Sequence, residues 1–218
     1  MKKKVLASLS AAVLLLGAMT AFAEDEAATR YQGYAIYRDG VPASWVSGGY
    51  HAAILVEPLV TSTNTPIVHA TYGSSVSKVT WDTFMNGNNT YQGVYKPSSQ
   101  SINKYQRYDV YETAIQLKNC NIPYTAAKQL EYNTYGCGTY IQPWFVTAMR
   151  CDGVVEYCYE YNGVRVYGSD ANWDVSRNDS TCNSVHFGNL ITPKKQVDDY
   201  MTRVLPPTAF PTDDNSEP

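Results

Sequence analysis

The chain has 218 residues, with 17 Lys and Arg against 20 Asp and Glu and a formal net charge of −3. This length allows one compact domain with a sizeable core, and the negative net charge excludes binding to nucleic acid by bulk electrostatics. The 19 tyrosines against five phenylalanines are typical of half-buried strand positions, and they also fit a groove that recognises sugars or peptides.

The N-terminus has the three parts of a secretory signal peptide. Lysines occupy positions 2–4, an apolar run covers 5–18, and small residues flank position 22. Residues 1–23 therefore predict a signal peptide cleaved after Ala23, and a secreted or periplasmic, cell-envelope location. The apolar run is short for a membrane span, so we expect no stable membrane span after cleavage. We expect a flexible lead at 24–30, one domain at 31–205 and a disordered tail at 206–218.

The first half of the domain reads mainly as short strands. Apolar and aromatic runs predict strands at 34–37, 50–56, 66–72 and 91–95, and the second and third of them contain His51 and His69. The segment 77–85 predicts a short helix that ends at the turn residues 86–89.

The second half reads mainly as helix. Spacings of three and four residues predict a helix at 103–118, one at 149–163 and a last one at 193–205. In the middle helix the small or apolar positions 151, 154, 155 and 158 form one stripe that should face a core, and Asn162 with Gly163 gives the stop signal. The stretch 125–141 fits either helix or loop, and 164–167 fits a strand.

The mature chain has five cysteines: Cys120, Cys137, Cys151, Cys158 and Cys182. Disulfides persist in exported proteins, and an odd count leaves one thiol over. If the other four pair, three connectivities are open. The spacings do not resemble a zinc site, so we expect no metal and no cofactor.

Cys151 is the candidate nucleophile because it opens a predicted helix. Unpaired backbone N–H groups and the helix dipole at that position favour an anion, which predicts a lowered pKa for the thiol. The alternative is a buried or disulfide-bonded cysteine. A cysteine nucleophile needs a base, and the only histidines are His51, His69 and His186.

Residues 150–157, Arg-Cys-Asp-Gly-Val-Val-Glu-Tyr, resemble the nucleophile helix of the NlpC/P60 superfamily of papain-like cysteine hydrolases. Arg150 and Asp152 depart from the common pattern of that family. The segment 122–124 resembles the family's proline-tyrosine element, which implies that Tyr124 lies near the active site and contacts substrate. Both histidine-bearing strands precede the cysteine helix, an order that resembles the circularly permuted members, the YiiX-like and lecithin:retinol acyltransferase-like groups.

The resemblance implies an α+β, papain-like fold in which an antiparallel sheet packs against the nucleophile helix. It also implies catalytic roles for Cys151 as nucleophile, His51 as base and His69 as the residue that orients His51. An unpermuted alternative pairs Cys151 with His186. The implied substrate is a peptide such as cell-wall peptide, or a lipid-like acyl ester or amide, cleaved through an acyl-enzyme. A non-catalytic secreted binding module, or an inactive hydrolase-like fold, is the competing hypothesis.

Overall fold

The computed structural model describes residues 27–40, 49–133, 140–166 and 192–212. Six of its strands form one antiparallel sheet in the order β4-β3-β2-β1-β5-β8, and β6 pairs with β7 in a separate ribbon. The strands are β1 Ala35–Arg38, β2 His51–Leu55, β3 Ile67–His69, β4 Ser77–Val79, β5 Tyr91–Pro97, β6 Leu130–Tyr132, β7 Val146–Met149 and β8 Met201–Leu205.

The helices are α1 Trp81–Met85, α2 Lys104–Asn119, α3 Cys151–Tyr161 and α4 Pro193–Lys195, with a 3-10 turn at Pro143–Phe145 and a π turn at Gln196–Tyr200. Asn103 begins α2 with a capping box, because its side chain accepts the N–H groups of Tyr105 and Gln106 and the Gln106 side chain accepts the N–H of Asn103. Each helix in the described ranges is too short or too polar to cross a membrane.

The two faces of the sheet bury different side chains, because successive strand residues point to opposite sides. On one side, which we name the helix face, Ala52 and Ile54 of β2 join the same buried cluster as Val154 of α3. On the other side, which we name the histidine face, Ala53 and Leu55 join the cluster of Phe84 from α1.

Helix α3 is buried on all sides, although the sequence predicts only one buried stripe. Every residue from Cys151 to Glu160 is buried. The helix lies between the helix face of β2 and α2, and the C-terminal π turn lies against its first turn through Gln196. Three carboxylates that the pattern places toward solvent, Asp152, Glu156 and Glu160, are therefore inside the protein.

Much of the expected architecture is confirmed. The chain is α+β, with an antiparallel sheet and few helices. The predicted strands at 34–37, 50–56, 66–72 and 91–95 and the predicted helices at 103–118 and 149–163 all exist, with ends that differ by a few residues. Asn162 ends α3, and Gly163 follows it with a φ of 75°, in the left-handed region that glycine adopts freely.

Four local predictions are wrong, three of them because pairing with other strands overrides the local pattern. Residues 77–79 pair with β3 as strand β4, so the helix begins only at Trp81. The segment 125–141 contains strand β6. Residues 164–166 form no strand, and Tyr167 lies outside the described residues. The predicted helix 193–205 ends in strand β8, which pairs with β5.

Parts of the lead and tail contact the domain. Ala28 is buried and its N–H donates to the carbonyl of Lys104 at 3.0 Å. Near the other end, the N–H of Val60 donates to the carbonyl of Pro211 at 2.7 Å, and the Phe210 ring stacks on Tyr91. The predicted signal peptide lies outside the described residues.

Candidate active site

Cys151 is the first residue of α3 and is 4% exposed. Its sulfur accepts hydrogen bonds from the backbone N–H groups of Ala52 and Asp152. The first N–H belongs to the peptide group that joins His51 to Ala52. The candidate nucleophile therefore contacts the backbone that carries the candidate base.

The sulfur lies where β2 and β3 separate. The pairing of these strands runs from Leu55 opposite Ile67 to Ile54 opposite Val68 and then stops. The N–H of Val56 points toward β3, where it bonds the carbonyl of Pro66 at 2.8 Å. By alternation along the strand the N–H of Ala52 points the same way, so the thiol takes the place of the next partner in the ladder.

The other two predicted residues meet on the histidine face, whereas Cys151 belongs to the buried cluster of the helix face. Nε2 of His51 lies 2.8 Å from Nδ1 of His69, and both side chains are buried. The ring of Phe84 packs against both, with ring centroids 5.6 Å from His51 and 6.0 Å from His69. If His51 donates from Nε2, its Nδ1 becomes the acceptor that a base requires.

Burial keeps both imidazoles neutral. Desolvation, followed by the charges of His69 and Arg38, lowers the pKa of His51 well below its usual value. Desolvation, followed by Arg38, lowers the pKa of His69 to about 4. At neutral pH the pair is therefore uncharged and able to accept a proton.

The prediction of a lowered thiol pKa is wrong for this closed structure. Desolvation, and then the neighbouring Asp152 carboxylate, raise the pKa of Cys151 to about 12. The N–H of Ala52, the Arg150 charge and the N–H of Asp152 act in the opposite direction but are outweighed. The resting site thus contains a neutral thiol and two neutral imidazoles.

Arg150 and Asp152, the two departures from the family pattern, form a buried ion pair. Arg150 donates from Nε to Oδ1 at 2.8 Å and from Nη2 to Oδ2 at 2.7 Å. Such a two-point pair keeps both charges satisfied inside the protein. The pair also explains why the residues on both sides of Cys151 are charged in an otherwise apolar region.

A polar network behind Cys151 was missed by sequence reasoning. Glu156 accepts from Nε2 of Gln129 and from Nε2 of Gln196, and burial raises its pKa to about 8. Gln196 also donates to the carbonyl of Asp152 at 3.0 Å and accepts from the Tyr37 hydroxyl at 3.2 Å. The available signal was the four-residue spacing of the acids at 152, 156 and 160, which places them on one helix face.

Tyr124 lies within electrostatic range of Cys151. Burial, and then the charges of Cys151 and Asp152, raise its pKa to about 12. Its ring makes an edge contact with Tyr72, with centroids 6.1 Å apart, and Tyr72 is 70% exposed. These two tyrosines connect the surface to the surroundings of the thiol.

The cysteine pairing that we considered is absent at Cys120 and Cys158. Both are free thiols, Cys120 exposed and Cys158 buried, and Cys151 is also free. Cys137, Cys182 and the third histidine, His186, lie outside the described residues. In the part of the chain that the structure describes, no three His, Cys, Asp or Glu side chains converge as metal ligands would.

Comparison with models of known families, with characterised proteins and with solved structures finds no match to this chain.

Proposed function

We propose that this chain is an exported, papain-like cysteine hydrolase of the permuted NlpC/P60 type that cleaves an amide or ester through an acyl-enzyme. The observation that carries the proposal is the pair His51 and His69 at 2.8 Å, next to the peptide group whose N–H holds the Cys151 sulfur. Thiol hydrolysis needs a nucleophile, a base and a group that orients the base, and the proposal gives these roles to Cys151, His51 and His69.

In the proposed reaction, the Cys151 proton passes to His51 as the sulfur attacks the substrate carbonyl carbon. The oxyanion that forms is stabilised by backbone N–H groups at the start of α3, which have no partner within the helix. His51 then gives its proton to the departing amine or alcohol, and a thioester remains on Cys151. A water that gives its proton to His51 hydrolyses the thioester, which releases the carboxylic acid and the thiol.

The neutral resting state decides which form of the mechanism is supported. With a thiol pKa raised to about 12 and both imidazoles neutral, no stable thiolate and imidazolium pair stores charge before substrate arrives. Proton transfer to His51 therefore accompanies the attack, as general base catalysis. Under this proposal the imidazolium of His51 forms only while the sulfur attacks the substrate.

Cell-wall peptide or another amide is the favoured substrate, by family resemblance. The exposed Tyr72 ring contacts Tyr124, which lies within electrostatic range of Cys151, and such aromatic rings suit a peptide or an acyl chain. Under this proposal Tyr124 contacts the substrate.

Acylation of the intact chain tests the proposal directly. With p-nitrophenyl acetate as a generic acyl donor, we expect a burst of nitrophenol and an acetyl group on Cys151 in peptide mass spectra. Folded Cys151→Ser and His51→Ala variants should lose the burst rate by at least about a thousandfold. The matched controls are Cys120→Ser, which removes an exposed thiol, and His186→Ala, which tests the unpermuted alternative.

Two results would count against the proposal. Parent-like acylation in both folded variants would leave a non-catalytic binding module or an inactive hydrolase-like fold as the better hypothesis. Loss of activity in His186→Ala together with a tolerated His51→Ala would replace His51 by His186 as the base.

A further inference from the structure

Arg38 is a buried cation on the histidine face, beside the proposed base. It is the last residue of β1, lies opposite His51 in the pairing of β1 with β2, and is 7% exposed. Its guanidinium carbon is 5.6 Å from the centroid of the Phe84 ring, the same ring that packs against His51 and His69. One aromatic ring therefore supports the arginine and both imidazoles.

The hydrogen bonding of Arg38 is incomplete. Nη1 donates to the carbonyl of Asp39 at 2.8 Å, but among the described residues the buried Nε has no hydrogen-bond partner. The carboxylate of Asp39 is engaged elsewhere, since its Oδ1 accepts the N–H of Thr90 at 2.6 Å. Buried arginines are normally paired with an anion, and in the described part of the chain Arg38 forms no ion pair.

The charge of Arg38 acts on the whole site. It contributes to the lowered pKa of His51 and of His69. Desolvation lowers the pKa of Arg38 itself, and the charge of a Cys151 thiolate acts in the opposite direction. The guanidinium is thus within electrostatic range of the sulfur that would attack the substrate.

We propose that Arg38 binds a carboxylate of the substrate, close to the scissile carbonyl. The inference rests on the proposed hydrolase and specifies its substrate class, a peptide or other amide with a free carboxylate near the bond that is cleaved. The planar guanidinium presents several N–H donors in one plane, an arrangement that matches the two oxygens of a carboxylate. An incoming carboxylate would supply the acceptor that Nε lacks and neutralise the buried charge.

A different role, in which Arg38 only stabilises the thiolate, makes another forecast. Stabilising the thiolate changes the reactivity of Cys151 toward every electrophile by the same factor. Binding a carboxylate changes it only toward electrophiles that carry one. Two alkylating reagents of nearly equal size, iodoacetate and iodoacetamide, separate these effects because only the first is an anion.

The test measures both alkylation rates on the intact chain, at about pH 9 because thiolates react, with peptide mass spectrometry to resolve the sites. In each reaction the sulfur displaces iodide and forms a thioether, and the thiol proton goes to a base. The exposed Cys120 is the internal reference. We expect the ratio of the iodoacetate rate to the iodoacetamide rate to be roughly tenfold higher at Cys151 than at Cys120, the effect of one charge-assisted hydrogen bond.

Variants then assign the preference to one side chain. Arg38→Gln should reduce the ratio at Cys151 to the ratio at Cys120, and Arg38→Lys should retain a part of the preference because the positive charge remains. The control is Arg203→Gln, since Arg203 also lies over an aromatic ring, that of Tyr95 at 5.4 Å, but is exposed on β8. If Arg38→Gln fails to fold, the test is whether added acetate protects Cys151 of the parent from alkylation. Acetate should slow alkylation of Cys151 but not of Cys120, and acetamide should slow neither.

Equal ratios at Cys151 and Cys120 in the parent, an unchanged ratio in folded Arg38→Gln, or no protection by acetate would overturn the carboxylate site. So would a Cys151 that neither reagent labels, because a site closed to such a small acid cannot hold a substrate carboxylate. Equal ratios together with acylation that depends on Cys151 and His51 would overturn this inference alone. The expected higher ratio at Cys151, without acylation that depends on Cys151 and His51, would overturn only the proposed hydrolase function.

Discussion

Gly153 lies in the first turn of α3, where an added methyl group has no room. A Cβ at this position would lie 2.0 Å from the carbonyl oxygen of Gln129, and the same oxygen accepts the N–H of Arg150 at 3.1 Å. Since a normal contact is more than 1 Å longer, Gly153→Ala must push β6 and the start of α3 apart.

The magnitude follows from three contributions. Overpacking costs about 1–3 kcal/mol, and loss of the Arg150 hydrogen bond costs about 1 kcal/mol. The higher helix propensity of alanine returns about 1 kcal/mol. We therefore expect Gly153→Ala to lower the free energy of unfolding by about 1–3 kcal/mol, whereas propensity alone predicts stabilisation.

Urea unfolding followed by tryptophan fluorescence measures this change, and iodoacetamide labelling of Cys151 reports whether the thiol has moved. Gly163→Ala is the control at the other end of α3, where open space surrounds the glycine but its φ of 75° disfavours alanine. That control should lose stability without a change in Cys151 labelling. A Gly153→Ala variant as stable as the parent, with unchanged labelling, would refute the reasoning.

Three further predictions concern buried groups near the site. The pKa of Glu156 is raised to about 8, so its protonated form stabilises the fold fully below about pH 4.5, and this stability is lost as the pH rises through about 8. In Glu156→Gln, the free energy of unfolding measured in urea should therefore decline less between about pH 5 and about pH 9 than in the parent. The pKa of His69 is lowered to about 4, so stability present above about pH 6.5 is lost as the pH falls toward 4. His69→Asn should remove part of that acid sensitivity and retain more acylation than His69→Ala, because the amide oxygen can accept from His51. Phe84→Ala should cost about 3–5 kcal/mol of unfolding free energy and Phe84→Leu about 1 kcal/mol.

Each of these three has a clear contrary result. A pH slope in Glu156→Gln equal to that of the parent would show that another group causes the decline. Equal acylation in His69→Asn and His69→Ala would remove the orienting role of His69. A loss below about 1 kcal/mol in Phe84→Ala would mean that the ring does not support the imidazoles and Arg38 as described.

The sequence predicts the elements whose residues carry their own local signals. Helix α2 starts directly after Asn103 because a capping box can be read from Asn103 and Gln106, and α3 ends before Gly163 because glycine adopts a positive φ. Strands β1, β2 and β3 follow from short apolar runs between turn residues. The closeness of His51 and His69 follows from their places on two strands that pair.

Other features depend on partners that are distant in the chain. Val197, Met201 and Val204 imitate helical spacing, but pairing with β5 makes 201–205 a strand. The raised thiol pKa could not be predicted from a helix start alone, because it depends on complete burial and on the orientation of Asp152. For the same reason, the incomplete bonding of Arg38 is visible only in the folded chain.

Strand β8 completes the large sheet with residues from near the end of the chain. Leu205 pairs with Val94, more than one hundred residues earlier, so this edge of β5 stays unpaired until residues 201–205 have been synthesised. Pairings over such distances slow folding and leave an unpaired strand open to association with other chains. The interval before β8 pairs is therefore the one in which β5 is open to association with other chains, after which β8 is the outer strand on that side.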